Sequence, residues 1–113
     1  MSWPHPWEGH CRCCRARLDD HLAFESPRTP ERTSIAARRL WYDTVSHVHP
    51  PALAAAAASF GADRLVLGTD FPHEDGEVFL RAVDHIAGSG LTPEEATMIL
   101  DTNAANLLSL SAP

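Results

Sequence analysis

Leu65–Pro72 reads LVLGTDFP, and this stretch decides the fold. Leu65, Val66 and Leu67 form an uninterrupted apolar run that gives way to Gly68, Thr69 and Asp70, the pattern of a strand buried on both faces of a parallel sheet. Asp70 then stands at the carboxyl end of that strand, the edge where ligands and catalytic groups collect in parallel α/β proteins. Phe71 and Pro72 turn the chain away, and His73, Glu74 and Asp75 add polar groups beyond the turn. A carboxylate so placed is suited to a metal or a proton. The same residues also read as a capping loop, with Asp75 and Gly76 opening the next helix.

Outward from this strand, PPALAAAAASFG (50–61) predicts a helix, with alanine supplying propensity, Pro50 and Pro51 the start and Gly61 the stop. Before it, LWYDTVS (40–46) carries the aromatic and β-branched residues of a second strand. After it, GEVFLRAVDHIAGSG (76–90) places Val78, Phe79, Ala82, Val83 and Ile86 on one helical stripe, which leaves His85 facing solvent. Thr92, Pro93 and Glu95 spell a capping box for a further helix whose core face is Ala96, Ile99 and Leu100. A short helix in TNAANLLSL (102–110) ends the pattern. The order strand, helix, strand, helix, helix, helix predicts an α/β βαβ crossover. Two strands alone make a poor parallel sheet.

The amino-terminal part is less regular. LDDHLAF (18–24) suggests a short helix, and TPERTSIAARR (29–39) a capped one, with Thr29 as the cap and Pro30 in the first turn. Residues 1–17 hold two tryptophans, two prolines and all three cysteines without periodicity. They read as an irregular leader, as from translation out of register, ahead of a partial domain at 18–113.

The chain has 113 residues, enough for one small domain, and is 44% hydrophobic and 21% charged. Its formal charge of -6 argues against nucleic-acid binding, which needs a basic face. Arg12, Arg15 and Arg17 read as a solvated basic stretch. No run approaches the about 18 apolar residues of a membrane span, so a cytoplasmic location is the expectation. Cys11, Cys13 and Cys14 are too crowded, even with His10, to surround a tetrahedral zinc, and are expected to be reduced thiols.

LWYDTVSH, the helix beginning PPAL, GADRLVLGTDFP and the closing LDTNAANLLSL together resemble the last two βα units of the amidohydrolase-related family, of the aminocarboxymuconate-semialdehyde decarboxylase type. The resemblance covers roughly residues 40–110. It implies α/β architecture, the C-terminal βα units of a truncated TIM (β/α)8 barrel, and a metal-dependent hydrolase or carboxy-lyase acting on a small organic acid or ring substrate. It also implies a role for Asp70, which matches the aspartate that binds the family's divalent metal, usually zinc, and handles the proton of its bound water. Asp70 is therefore the candidate catalytic and metal residue.

Asp43 and His47, at the end of the preceding strand, are weaker substrate-facing candidates, and each has a local alternative in backbone bonding or capping. His21, His49 and His85 are weaker still. The family's complete site adds an HxH pair after the first strand and single histidines from middle strands, which this chain lacks. His47 and His49 spell H-x-H but follow the wrong strand. The expectation is a chain catalytically incomplete on its own. The alternative is a small α/β interaction module without catalysis, docking through strand edges and apolar faces around Val66, Phe79 and Ile86.

Overall fold

The computed structural model describes residue 19 and residues 30–45, 48–74 and 76–110. The leader expected at 1–17, Thr29, His21 and His47 lie outside the described residues. The elements are helix α1 (Thr33–Ala37), strand β1 (Tyr42–Asp43), helix α2 (Pro50–Phe60), a 3-10 turn (Ala62–Arg64), strand β2 (Leu65–Val66), then helices α3 (Gly76–Leu80), α4 (Ala82–Ala87) and α5 (Pro93–Thr97). A π-helical turn (Met98–Thr102) carries α5 into α6 (Asn103–Leu107). No helix among the described residues is long and apolar enough to cross a membrane.

The βαβ unit forms as the sequence predicts. α2 carries prolines in its first turn and ends where Gly61 takes φ +96°, with the Gly61 N–H donating to the Ala57 carbonyl at 2.9 Å. A β-carbon at Gly61 would fall 2.3 Å from Asp63 Oδ1, so glycine alone makes this turn without displacing Asp63. The chain then enters β2 parallel to β1, with Tyr42 opposite Leu65 and Asp43 opposite Val66. Tyr42 faces the helix layer, stacking on Phe60 at 4.1 Å between ring centroids, and its hydroxyl donates to the Ala37 carbonyl at 2.7 Å.

β2 is shorter and less enclosed than LVLGTDFP suggests. The ladder covers Leu65 and Val66, and only Leu65 is fully buried, while Val66 and Leu67 are half-buried. Beyond Val66 the backbone bonds leave the ladder. The Leu67 N–H donates instead to the Ile99 carbonyl at 3.1 Å, and the Gly68 N–H to Thr44 Oγ1 at 3.2 Å. The helices cover one face of the sheet, where Leu65, Ile86 and Ile99, each at 0% exposure, meet Leu53 and Ala62. Each large aliphatic residue so buried contributes about 1.5–3 kcal/mol.

The helix expected over 76–90 is broken at Arg81, and its buried face is rotated. Val78 and Ala82 are half-buried, and His85 and Ile86 are buried, whereas Phe79 and Val83 are 39% and 48% exposed. Positions 78, 82, 85 and 86 follow i, i+4, i+7, i+8 spacing, so His85 takes a core-facing place that the stripe denied it. Phe79 turns outward to meet Phe71, with ring centroids 5.4 Å apart.

α1 begins at Thr33 rather than at Pro30, and its N-cap residue Arg32 makes no side-chain cap. Its first-turn amide at Ser34 donates to Asp19 Oδ1 at 2.9 Å, so a carboxylate from fifteen residues upstream does the capping. The capping box at α5 is present in full: Glu95 N–H donates to Thr92 Oγ1 at 3.2 Å, and Thr92 N–H to Glu95 Oε2 at 2.9 Å. Ile99 faces the core as predicted, with Ala96 and Leu100 packed against it.

Candidate functional site

The carboxyl ends of β1 and β2 meet through Gly68. A β-carbon there would lie 2.8 Å from Asp43 Cβ and 2.9 Å from Val45 Cγ2, inside any tolerable contact distance. The glycine of GTD therefore serves the close approach of the two strand ends. That approach puts Asp43, of β1, and Asp70, just beyond β2, at the same edge of the sheet.

Asp70 is exposed and holds φ +57°, in the left-handed region that non-glycine residues enter rarely and aspartate more readily than most. Its backbone carbonyl closes the turn, accepting the N–H groups of His73 at 2.8 Å and Glu74 at 3.0 Å. Strain of this kind costs of order 1–3 kcal/mol and concentrates at functional positions. The main chain thus fixes the turn while the carboxylate stands outside it.

Asp43 is also exposed, and its Oδ1 accepts the Val45 N–H at 3.0 Å. That bond realises the local backbone role set beside its substrate-facing one. His49 occupies the N-cap position of α2, exposed and without a side-chain capping bond.

Behind the strand ends lies a small cavity of about 20 Å3, room for about one water. Thr44, Gly68 and Thr69 line it from the strands, and Val78, Ala82 and His85 from α3 and α4. His85 is 8% exposed, and burial first, then the positive charge of Arg81 and the nearby His49, hold its pKa below the usual histidine value. Its ring is therefore neutral near pH 7.

Two residues that matter here escaped the sequence reading. His85 had a signal, its i+7 offset from Val78, but a histidine does not enter an apolar stripe by type. Asn103, 4% exposed, donates Nδ2–H to the carbonyls of Ala62 at 2.8 Å and Leu65 at 2.7 Å, tying α6 to the start of β2. Its signal was the NAANLL stretch, which contributed to the resemblance without a structural role.

Among the described residues, no group of three or more His, Cys, Asp or Glu side chains is placed to hold a metal ion. Asp70 offers one carboxylate, which is part of a ligand set and not the whole of one.

The family model described as Amidohydrolase matches residues 15–110. No curated relative matches. Among solved structures, the chain is similar to a 2,6-dihydroxybenzoate decarboxylase from Rhizobium, with a TM-score of 0.71 and 25% identity over 87% of this chain and 31% of that one. A 2,6-dihydroxybenzoate decarboxylase complexed with 2,6-dihydroxybenzoate gives 0.70 and 25%, over 86% and 31% of the two chains. A dihydroxybenzoic acid decarboxylase from Polaromonas sp. JS666, with bound manganese and the inhibitor 2-nitroresorcinol, gives 0.70 and 24%, over 86% and 30%. The chain thus spans about a third of the length of the structures it matches. Its βα units are those of the C-terminal part of a TIM (β/α)8 barrel.

Proposed function

From the premise that the chain belongs to the amidohydrolase family, we propose that it supplies the C-terminal βα units of a metal-dependent hydrolase or carboxy-lyase, with Asp70 as its one contribution to the metal site. The observation that carries this reading is the placement of Asp70: an exposed carboxylate on a left-handed turn at the carboxyl edge of a parallel sheet. A hard oxygen donor there suits a divalent ion, zinc being the family expectation. Manganese, which the Polaromonas structure holds, is the second metal to test.

The described residues do not group into a complete metal site, and this reading draws the remaining ligands from other units of a barrel. No catalytic step is assigned to this chain alone. A small aromatic acid is the substrate class favoured by the decarboxylases it resembles, and a cytoplasmic setting belongs to the same reading. The division 1–17 and 18–113 stays part of it too, with the second part as the barrel-derived domain.

The test is equilibrium dialysis of the full chain against Zn2+ and Mn2+, for the native sequence and Asp70→Asn. Weak binding that falls at least several-fold in the variant is the expected result, together with no turnover of 2,6-dihydroxybenzoate. Metal binding unchanged by Asp70→Asn would remove Asp70 from the site.

A further inference from the structure

We infer that Asn103 is a positioning residue for Asp70: by gripping the amino end of β2 it sets how far that strand reaches, and so where the Asp70 carboxylate stands. The inference rests on the reading of Asp70 as a metal ligand, and it deepens that reading by naming a residue that acts on the ligand from the opposite end of the strand.

β2 has need of such a grip because its ladder is short. Two residue pairs, Tyr42 with Leu65 and Asp43 with Val66, set its register against β1. A slip by two residues would keep every side chain on its own face while moving the strand about 7 Å along its axis. A ladder of two pairs opposes that slip weakly.

Asn103 opposes it strongly. Its side chain is buried, the residue being 4% exposed, and Nδ2 donates to the Leu65 carbonyl at 2.7 Å and to the Ala62 carbonyl at 2.8 Å. An amide nitrogen carries two N–H groups, so both are used. The Ala62 carbonyl also accepts the Leu65 N–H, which closes the 3-10 turn leading into β2. Asn103 therefore holds the turn and the first residue of the strand together. Sliding β2 along its axis would leave two buried donors without acceptors, which costs more than an ordinary hydrogen bond contributes. A carbonyl has a second lone pair, so the Leu65 carbonyl stays able to accept from a further strand of a barrel.

The position set at Leu65 is carried to Asp70. An extended chain is close to its greatest length and has little slack along its axis. Thr44 holds the middle of the run against β1, its N–H donating to the Val66 carbonyl at 3.0 Å and its Oγ1 accepting the Gly68 N–H at 3.2 Å. Asp70 stands two residues past Gly68, in the turn that its own carbonyl closes. At the other end of the linkage, Ile99 at 0% exposure anchors the helical run that carries Asn103. Residues at the amino end of barrel strands ordinarily serve stability alone, and the experiment separates that role from positioning.

The experiment is equilibrium dialysis of the full chain against Zn2+, with affinity expressed per folded molecule from urea unfolding curves of the same samples. Asn103→Leu is similar in volume but has no donors, whereas Ile99→Val loosens the same helical run and keeps both Asn103 bonds. Asn103→Leu should weaken Zn2+ binding at least threefold while Ile99→Val leaves it at the native value. If Asn103→Leu binds as the native chain does while Asp70→Asn binds more weakly, Asp70 stands as a ligand and the inference is overturned. Equal weakening in Asn103→Leu and Ile99→Val also overturns it, leaving Asn103 a structural role alone. Binding unchanged by Asp70→Asn removes the ligand and the inference with it. Should Asn103→Leu fail to fold, the native chain decides, because coupling between two sites is reciprocal. Saturating Zn2+ should slow hydrogen exchange of the Asn103 Nδ2 protons at least threefold, read by NMR, and exchange unaltered by Zn2+ overturns the inference.

Discussion

His85 links burial to pH. Its folded pKa lies below the ordinary histidine value near 6.5 because burial, Arg81 and His49 all disfavour the imidazolium. Between the folded and unfolded pKa values the unfolded chain binds more protons, so stability falls as pH drops through about 6.5 and levels once the folded form is also protonated. Urea midpoints should therefore be higher at pH 8 than at pH 5.5, and His85→Leu should flatten that part of the profile. An unchanged slope in the variant would assign the pH dependence to other groups. At this scale the sequence was partly legible. Asp70 stood out because a carboxylate directly after an apolar strand is visible in one dimension, whereas His85 and Asn103 act through partners distant along the chain, Asn103 through carbonyls 41 and 38 residues away. Those partners exist only after folding.

Elements were legible where their determinants are local. The Thr92–Glu95 capping box and the Gly61 stop are complete within a few residues, and both are present. The helix after Asp70 was misread in phase because its stripe counted Phe79 and Val83 as core, while the sheet end it packs on is narrow and takes only the 78, 82, 85 and 86 side. α1 was misplaced because its cap comes from Asp19. The joint between β1 and β2 yields the prediction proper to this scale. Gly68→Ala inserts a β-carbon 2.8 Å from Asp43 Cβ and 2.9 Å from Val45 Cγ2, so the strand ends must separate. A cost of about 1–3 kcal/mol is expected from overpacking, read as a lowered urea midpoint. The Asp43 and Val45 amide resonances should shift with it. A variant as stable as the native chain would mean that the strand ends are not in close contact.

For the whole molecule, the core is small and the apolar surface large. Five apolar residues form the buried cluster among the described residues, while Phe71 is 67% exposed, Leu80 72%, Leu108 65% and Leu110 61%. The chain spans 31% of the length of a barrel enzyme it matches, and strands and helices with few neighbours leave apolar faces uncovered. The strand expected to be enclosed on both faces is enclosed on one, with Val66 and Leu67 half-buried. Composition revealed an ordinary globular protein because it counts apolar residues without saying which find a partner. Two substitutions separate the inner and outer apolar sets. Ile99→Ala empties a fully buried site and should cost about 2–5 kcal/mol, enough to remove much of the stability of a domain this size. Leu80→Ser, on the exposed side of α3, should change stability by less than about 0.5 kcal/mol while reducing concentration-dependent association in sedimentation velocity. If Leu80→Ser instead lowers the urea midpoint as far as Ile99→Ala does, Leu80 belongs to a packed interior, and the division between an inner and an outer apolar set does not hold.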